Sequence, residues 1–248
     1  MPDSYPATVK RVEQLNAVLK RITFGFFSPY AKGEEHAGDY LKLHLLDEHG
    51  QTVKRTYTIR SHRVEDNEID VDFVIHGTNG LASAWAMQVQ VGDQLELSPP
   101  GRGRWPAEEH DWLFIAGDLT ALPAISVILE RLPEDATGYV VIETSNVDEV
   151  LPLNRPVGMQ LHWMTPTGHE PPAIEFVRNL RALEWLDGNV AVWAASEFDT
   201  MRAMRRYFKK ERGTPTANAY ISSYWKRGVR EDEHKKIKKA DTDLQAKL

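Results

Sequence analysis

Apolar and polar positions alternate through the first hundred residues and run together in the rest. In Tyr40-Leu41-Lys42-Leu43-His44-Leu45 and in Ile69-Asp70-Val71-Asp72-Phe73 every second residue is apolar, the period of a strand with one wet face. Segments 8–15, 18–26, 40–46, 53–59, 69–75 and 94–97 read as such strands. Between the last two, segment 79–90 turns to small residues followed by Trp85, Ala86 and Met87, which predicts a short helix. Ser98-Pro99-Pro100-Gly101-Arg102-Gly103 then stops strand pairing.

After Pro106 the apolar runs 112–116, 139–142, 161–164, 190–194 and 219–221 lack alternation, as strands covered on both faces do. Helical patterns lie between them. Thr120 is placed to cap a helix carrying Ile125, Ile128, Leu129 and Leu132, and Ile174, Val177, Leu180 and Leu183 recur every three residues. Asp199 or Thr200 precedes Met201, Met204 and Phe208, with Gly213 as the stop. The expected architecture is an N-terminal antiparallel β-barrel followed by a parallel α/β domain. The boundary falls near 104–110, giving units 1–106 and 107–228 and a charged, helical tail 229–248.

Composition narrows the chemistry. None of the 248 residues is Cys, which excludes disulfides, thiolate metal sites and cysteine nucleophiles. The net charge of −6 argues against nucleic-acid binding, although the segment from Lys226 onward carries eight Lys/Arg against five Asp/Glu. No apolar run approaches the roughly 18 residues of a spanning helix, and the first twenty residues have no apolar core. The expectation is a cytoplasmic protein without membrane insertion. P-loop, G-x-S-x-G and H-E-x-x-H patterns are absent, and His36, His44 and His49 read as loop and strand histidines rather than ligands.

Two segments carry chemistry. Arg55-Thr56-Tyr57-Thr58 closes a barrel strand with a guanidinium for a pyrophosphate, an aromatic face for a planar ring and a hydroxyl for its edge. R-x-Y-T alone matches many strand ends. The second segment sets Val74-Ile75-His76-Gly77 before Gly80-Leu81-Ala82-Ser83-Ala84-Trp85-Ala86, small residues and a hydroxyl at a helix start, where backbone N–H groups and the helix dipole favour phosphate. Ser83 is the N-terminal donor in this reading. Trp85 reads more readily as core than as a stacking platform, and His76 suits a ribose contact or a plain strand end equally.

A barrel followed by a parallel α/β half is the order of the ferredoxin-reductase-like flavoproteins. Arg55-x-Tyr57-Thr58, Ile75-His76, Leu81-Ala82-Ser83-x-Trp85-Ala86, Val91-Gly92-Asp93 and Tyr224-Trp225-Lys226, taken in order, resemble the siderophore-interacting proteins, the FAD-containing ferric-siderophore reductases, from about Val9 to Gly228. The resemblance implies FAD contacts by Arg55, Tyr57, Thr58, His76, Ala82, Ser83 and Trp85. It implies a basic pocket for the ferric siderophore at Lys42 and Arg102, to which the Trp-Lys end adds Lys226.

The chain departs from related reductases after its first α/β strand. Their G-x-G-x-x-P loop reads Gly117-Asp118-Leu119-Thr120-Ala121-Leu122-Pro123 here, with an anion where a dinucleotide pyrophosphate would approach, and Ala-Gly-Glu reads Ala195-Ser196-Glu197. Asp118 and Thr120 are expected to reach the FAD instead, and either NAD(P)H or reduced ferredoxin is the expected electron donor. The function implied is flavin-dependent reduction of chelated Fe³⁺, with release of Fe²⁺. The alternatives are a flavin-containing electron carrier, a siderophore-binding protein without turnover, or a flavin-free protein of the same fold.

Overall fold

The computed structural model of the chain describes residues 3–26, 35–76 and 80–245. Gly77 and Asn79 of the helix approach, and Lys247 of the tail, lie outside the described residues. The chain divides into two compact units. One comprises Met1–Arg104 with Pro123–Arg131 and Asp148–Asn154; the other comprises Trp105–Leu122, Leu132–Val147 and Arg155–Leu248.

The first unit is built from β1 (Tyr5–Gln14), β2 (Leu19–Phe26), β3 (Tyr40–Leu46), β4 (Thr52–Thr58), β5 (Ser61–Arg63), β6 (Glu68–Val74) and β7 (Gln94–Leu97), in the order β4-β3-β7-β1-β2-β6-β5. Every pairing is antiparallel. The outermost strands of that order are consecutive in the chain. Only Ile59 and Arg60 separate β4 from β5, and Arg60 N donates to Asp70 O of β6 at 2.8 Å, so the sheet curls into a barrel. Alternation in β3 does what its pattern requires. Leu41, Leu43 and Leu45 are at most 2% exposed, each contributing about 2 kcal/mol of burial, while Lys42 and His44 take the other face.

Strand β5 is absent from the sequence reading, whose strands stop at 59 and resume at 69, with Arg63 in the loop between them. Arg63 instead grips Asp70 with both terminal nitrogens at 2.7 Å and reaches Glu68 at 3.2 Å. Asp70 also accepts from Thr23 and Ser61. Burial pushes the Asp70 carboxyl up, but the hydrogen bonds from Arg63, Ser61 and Thr23 outweigh it and hold the group well below the usual carboxylate range.

Helix α1 (Leu81–Gln88) sets Ala82 and Ala86 against the barrel core, and Lys20 Nζ donates to Ala86 O near its end. Among the described residues four further α-helices follow: α2 (Leu122–Arg131), α3 (Pro172–Ala182), α4 (Phe198–Arg205) and α5 (Glu231–Gln245). The bulk of α2 belongs to the first unit, where Glu130 pairs with Arg60.

The second unit holds a parallel sheet of β8 (Trp112–Asp118), β9 (Gly138–Glu143), β10 (Met159–Met164), β11 (Val190–Glu197) and β12 (Ala219–Trp225), ordered β10-β9-β8-β11-β12. Strands β8 and β11 are buried along their whole length, as their unbroken apolar runs require. Two caps differ from expectation. The Thr120 hydroxyl donates back to Asp118 instead of capping α2. Glu197, not Asp199 or Thr200, caps α4, its carboxylate accepting from the amides of both those residues. Helix α4 continues into a π-helical turn over Arg206–Glu211, and the chain leaves it through Gly213 at φ +70°. The tail is helical, as its charge pattern suggests.

Candidate functional site

In the barrel unit, register divides the residues implied by the resemblance. Arg55 faces Leu43 and Tyr57 faces Leu41 across the β3–β4 ladder, so both lie on the core face. Thr58 faces Tyr40 and Lys42 faces Thr56, which places Lys42 and Thr58 together on the opposite face. Tyr57 packs on Phe73 with centroids 4.5 Å apart, and Trp85 of α1 lies 5.6 Å from that same ring and stacks on Phe24 at 6.1 Å. Trp85 is therefore core, as its sequence context favours. One phenylalanine joins the R-x-Y-T strand to α1.

The start of α1 suits an anion through its backbone. Gly80 at the N-cap offers no side chain, no acidic residue occupies the first turn, and the helical ladder begins with Ala84 N donating to Gly80 O. The amides of Leu81, Ala82 and Ser83 fall outside that ladder. The side chains of Ala82 and Ser83 point the other way, at 7% and 2% exposure, and Ser83 Oγ accepts from the His76 amide at 3.1 Å. Ser83 Oγ thus serves as the acceptor that ties the His76 amide to the helix start. A Cβ at Gly80 would stand 2.6 Å from the His76 ring, so glycine lets the exposed imidazole lie over the helix start.

Arg102 sits on a turn held by close approach, not by left-handed backbone. Gly101 makes an antiparallel bridge with Tyr40, and a Cβ there would lie 2.2 Å from Tyr40 Cζ. A Cβ at Gly103 would lie 2.1 Å from Gly38 O. Buried Asp39 accepts from Gly103 N at 2.8 Å and from the His36 ring at 2.9 Å, and its carboxylate lies 3.5 Å from the Arg102 guanidinium. The His36-x-x-Asp39 spacing, missed in the sequence, supports this turn.

In the parallel unit, strand order reverses between the neighbouring parallel strands β8 and β11, the switch point at which open α/β sheets bind ligands. Asp118 fills it. One carboxylate oxygen accepts from the amide and hydroxyl of Thr120; the other accepts from Glu197 N at 2.9 Å and Trp225 Nε1 at 2.8 Å. The group is 8% exposed, and burial raises its pKa against these hydrogen bonds. Both oxygens are engaged, so Asp118 is a tie between β8, β11 and β12 rather than the outward anion of the sequence reading. Glu197 extends the tie by accepting from Arg227 N at 3.1 Å. Lys226 is half-buried, its ammonium 4.7 Å over the Phe198 ring and 3.5 Å from Asp199.

Glu143 faces Asp118 across the β8–β9 ladder, a position the sequence reading passed over. Burial, then the Asp118 charge, push its carboxyl up to about 7, with Glu197 and Glu175 adding to the effect and Arg227 opposing it. A folded pKa above the unfolded one means stability declines as pH rises from about 4.5 through 7. Glu143→Gln should therefore match wild type in thermal unfolding at pH 5 and exceed it at pH 8.5 by about 2 kcal/mol. An equal gain at both pH values would contradict this account.

A barrel with a phosphate-suited helix start, followed by a parallel sheet, defines a two-domain flavin reductase fold. Amycolatopsis cytochrome P450 reductase GcoB has that fold, with a TM-score of 0.65 at 18% identity over 90% of this chain and 70% of its own. Residues 44–105 match the siderophore-interacting FAD-binding domain and residues 110–228 match the siderophore-interacting protein domain. The ferric vibriobactin reductase ViuB of Vibrio cholerae is 34% identical over 184 residues, 73% of this chain and 68% of ViuB. The siderophore-interacting protein SipS of Aeromonas hydrophila superposes with a TM-score of 0.85 at 29% identity, covering 98% of this chain and all of SipS. The chain belongs to the siderophore-interacting protein family, and its N-terminal domain is an FAD-binding one. The donor set fits the cofactor: Arg55 and the first-turn amides of α1 suit its pyrophosphate, and the aromatic face of Tyr57 suits its ring. Among the described residues no helix is long and apolar enough to cross a membrane, and no cluster of His, Asp or Glu could hold a metal ion.

Proposed function

We propose that the protein is a flavin-dependent ferric-siderophore reductase. The observation that carries this reading is the succession of two siderophore-interacting domains along one chain, similar over most of its length to a protein named ferric vibriobactin reductase. FAD, when bound, accepts electron pairs and passes electrons on singly. The side chains need supply no acid or base. Arg55, Tyr57, Thr58, His76 and the amides of Ala82 and Ser83 hold and orient the cofactor, while Trp85 supports the ring cluster beneath it. Lys42 and Arg102 of the barrel unit attract an anionic chelate. Reduction suffices for release, because Fe²⁺ binds hard oxygen donors more weakly and exchanges them faster than Fe³⁺.

The electron donor proposed is NAD(P)H. The sequence objections to it are the glycines replaced by Leu119 and Ser196 and an anion in the loop; the last is weakened, because the Asp118 carboxylate is turned inward and bonded on both oxygens. Anaerobic titration with NADH, NADPH and reduced ferredoxin in parallel tests this. Bleaching of the flavin by ferredoxin alone would replace the donor, and a bleached flavin that ferric chelate fails to reoxidise would leave a binding protein.

The basic residues have their own test. Lys42→Ala/Arg102→Ala should raise the KM for an anionic ferric chelate roughly five- to tenfold at low salt, since each partly exposed charge contributes about 0.5–0.7 kcal/mol. The change should shrink for a neutral chelate and vanish at high ionic strength, with the flavin spectrum unaltered. An unchanged KM at low salt would remove both residues from the pocket.

A further inference from the structure

On the second unit, the end of α4, the segment that follows it, β12 and α5 form a cleft of about 520 Å³ that has no part in the site above. Arg205, Lys209 and Lys210 supply cations to its wall, and Thr214, Thr216 and Thr242 supply hydroxyls. The wall has a local cause. Lys209 and Lys210 ride on the π-helical turn, whose wider ladder, seen where Arg212 N donates to Tyr207 O, shifts the side chains from the register an α-helix would impose. Gly213 then reverses the chain, and Thr214 N donates to Phe208 O, which brings the Thr214–Thr216 segment back beside the turn.

The charges do not cancel. Arg205 is matched by buried Asp241 of α5, which Arg202 also approaches at 3.5 Å. Lys209 and Lys210 have no carboxylate within ion-pair distance among the described residues; the Lys209 ammonium reaches only Thr216 Oγ1, at 3.4 Å. Burial and the Arg205 charge lower the Lys209 pKa, as expected of a cation crowded by its like. The hydroxyl count is short as well. Thr214 is 5% exposed and, among the described residues, its Oγ1 has no hydrogen-bond partner, an arrangement costly enough that buried hydroxyls are rarely left in it. Two unmatched ammonium groups lining one cleft, with an unpaired hydroxyl buried in its wall at Thr214, are the complement of a doubly charged oxyanion. Pro215 and Ile221 add an apolar wall that inorganic phosphate would leave uncovered.

We propose that this cleft binds the phosphate end of a small phosphomonoester, with Lys209 and Lys210 on the dianion, Thr214 donating to one of its oxygens, and Ile221 and Pro215 against the esterified group. The test is calorimetric titration of the FAD-loaded protein at constant ionic strength with phenyl phosphate and with inorganic phosphate. Phenyl phosphate should bind in the millimolar range or tighter, and at least about threefold tighter than inorganic phosphate. Lys209→Ala/Lys210→Ala should weaken it by about tenfold or more, and Thr214→Val, which keeps the shape of the side chain, by several-fold. Binding that survives the double lysine variant would overturn the proposal, as would no binding by the wild type. Equal or tighter binding of inorganic phosphate would overturn the ester and leave a bare phosphate site. Should the lysine variant fail to fold, Thr214→Val decides alone: unchanged affinity for phenyl phosphate refutes the site.

Discussion

Arg55→Ala is expected to purify with less than about a tenth of the wild-type flavin after gel filtration, because a guanidinium–phosphate hydrogen bond contributes about 2 kcal/mol, or roughly thirtyfold in affinity. The strand that carries Arg55 survives the change. Its half-buried side chain lies on the same ladder face as its partner Leu43, and β4 is held by the register of that ladder rather than by the guanidinium. The comparison variant must lose an arginine without losing structure. Arg63 is unsuitable, since it is the main counter-charge of buried Asp70 and its removal would loosen β5 and β6. Arg206, whose side chain is 81% exposed, is the better choice. The ratio of flavin to protein absorbance measures the outcome, and equal ratios for Arg55→Ala and Arg206→Ala would remove Arg55 from the cofactor site.

The largest expected loss of stability belongs to Asp118→Ala. Removing this carboxylate leaves the Trp225 indole N–H, the Glu197 amide and both Thr120 donors without their acceptor at a site only 8% exposed, a loss of about 3–4 kcal/mol in urea unfolding. Asp118→Asn should recover little. Its amide nitrogen must face one pair of donors with donors of its own. Trp225→Phe removes a single hydrogen bond and should cost about 1 kcal/mol plus some packing. A fully stable Asp118→Ala would mean that the carboxylate is not the tie between the strands, and would restore the reading in which it reaches the cofactor.

The alternation of β3 and the unbroken apolar runs of β8 and β11 are local properties, and each demanded the burial it receives. For that reason the barrel, the parallel sheet, most strand positions and the order of the two halves were legible from residue pattern alone. The helix expected over 79–90 forms as α1 over Leu81–Gln88, because its small residues fit the barrel core. Strand β5 was not legible. Ser61-His62-Arg63 has no apolar residue to mark it and exists as a strand through pairing with β6 and through Asp70, seven to nine positions along the chain.

The chemistry divides in the same way. Residue type and order in the sequence determined that the protein is a flavin-binding member of its family and which side chains could meet a phosphate, an aromatic ring or an anionic chelate. Tertiary structure decided where those side chains point. It put Lys42 and Thr58 on the face opposite Arg55 and Tyr57, and it turned the Ser83 hydroxyl onto the His76 amide. It also spent the Asp118 carboxylate on Trp225, 107 positions away. A carboxylate's role depends on which donors surround it, and donors brought in by distant strands leave no trace in the local pattern.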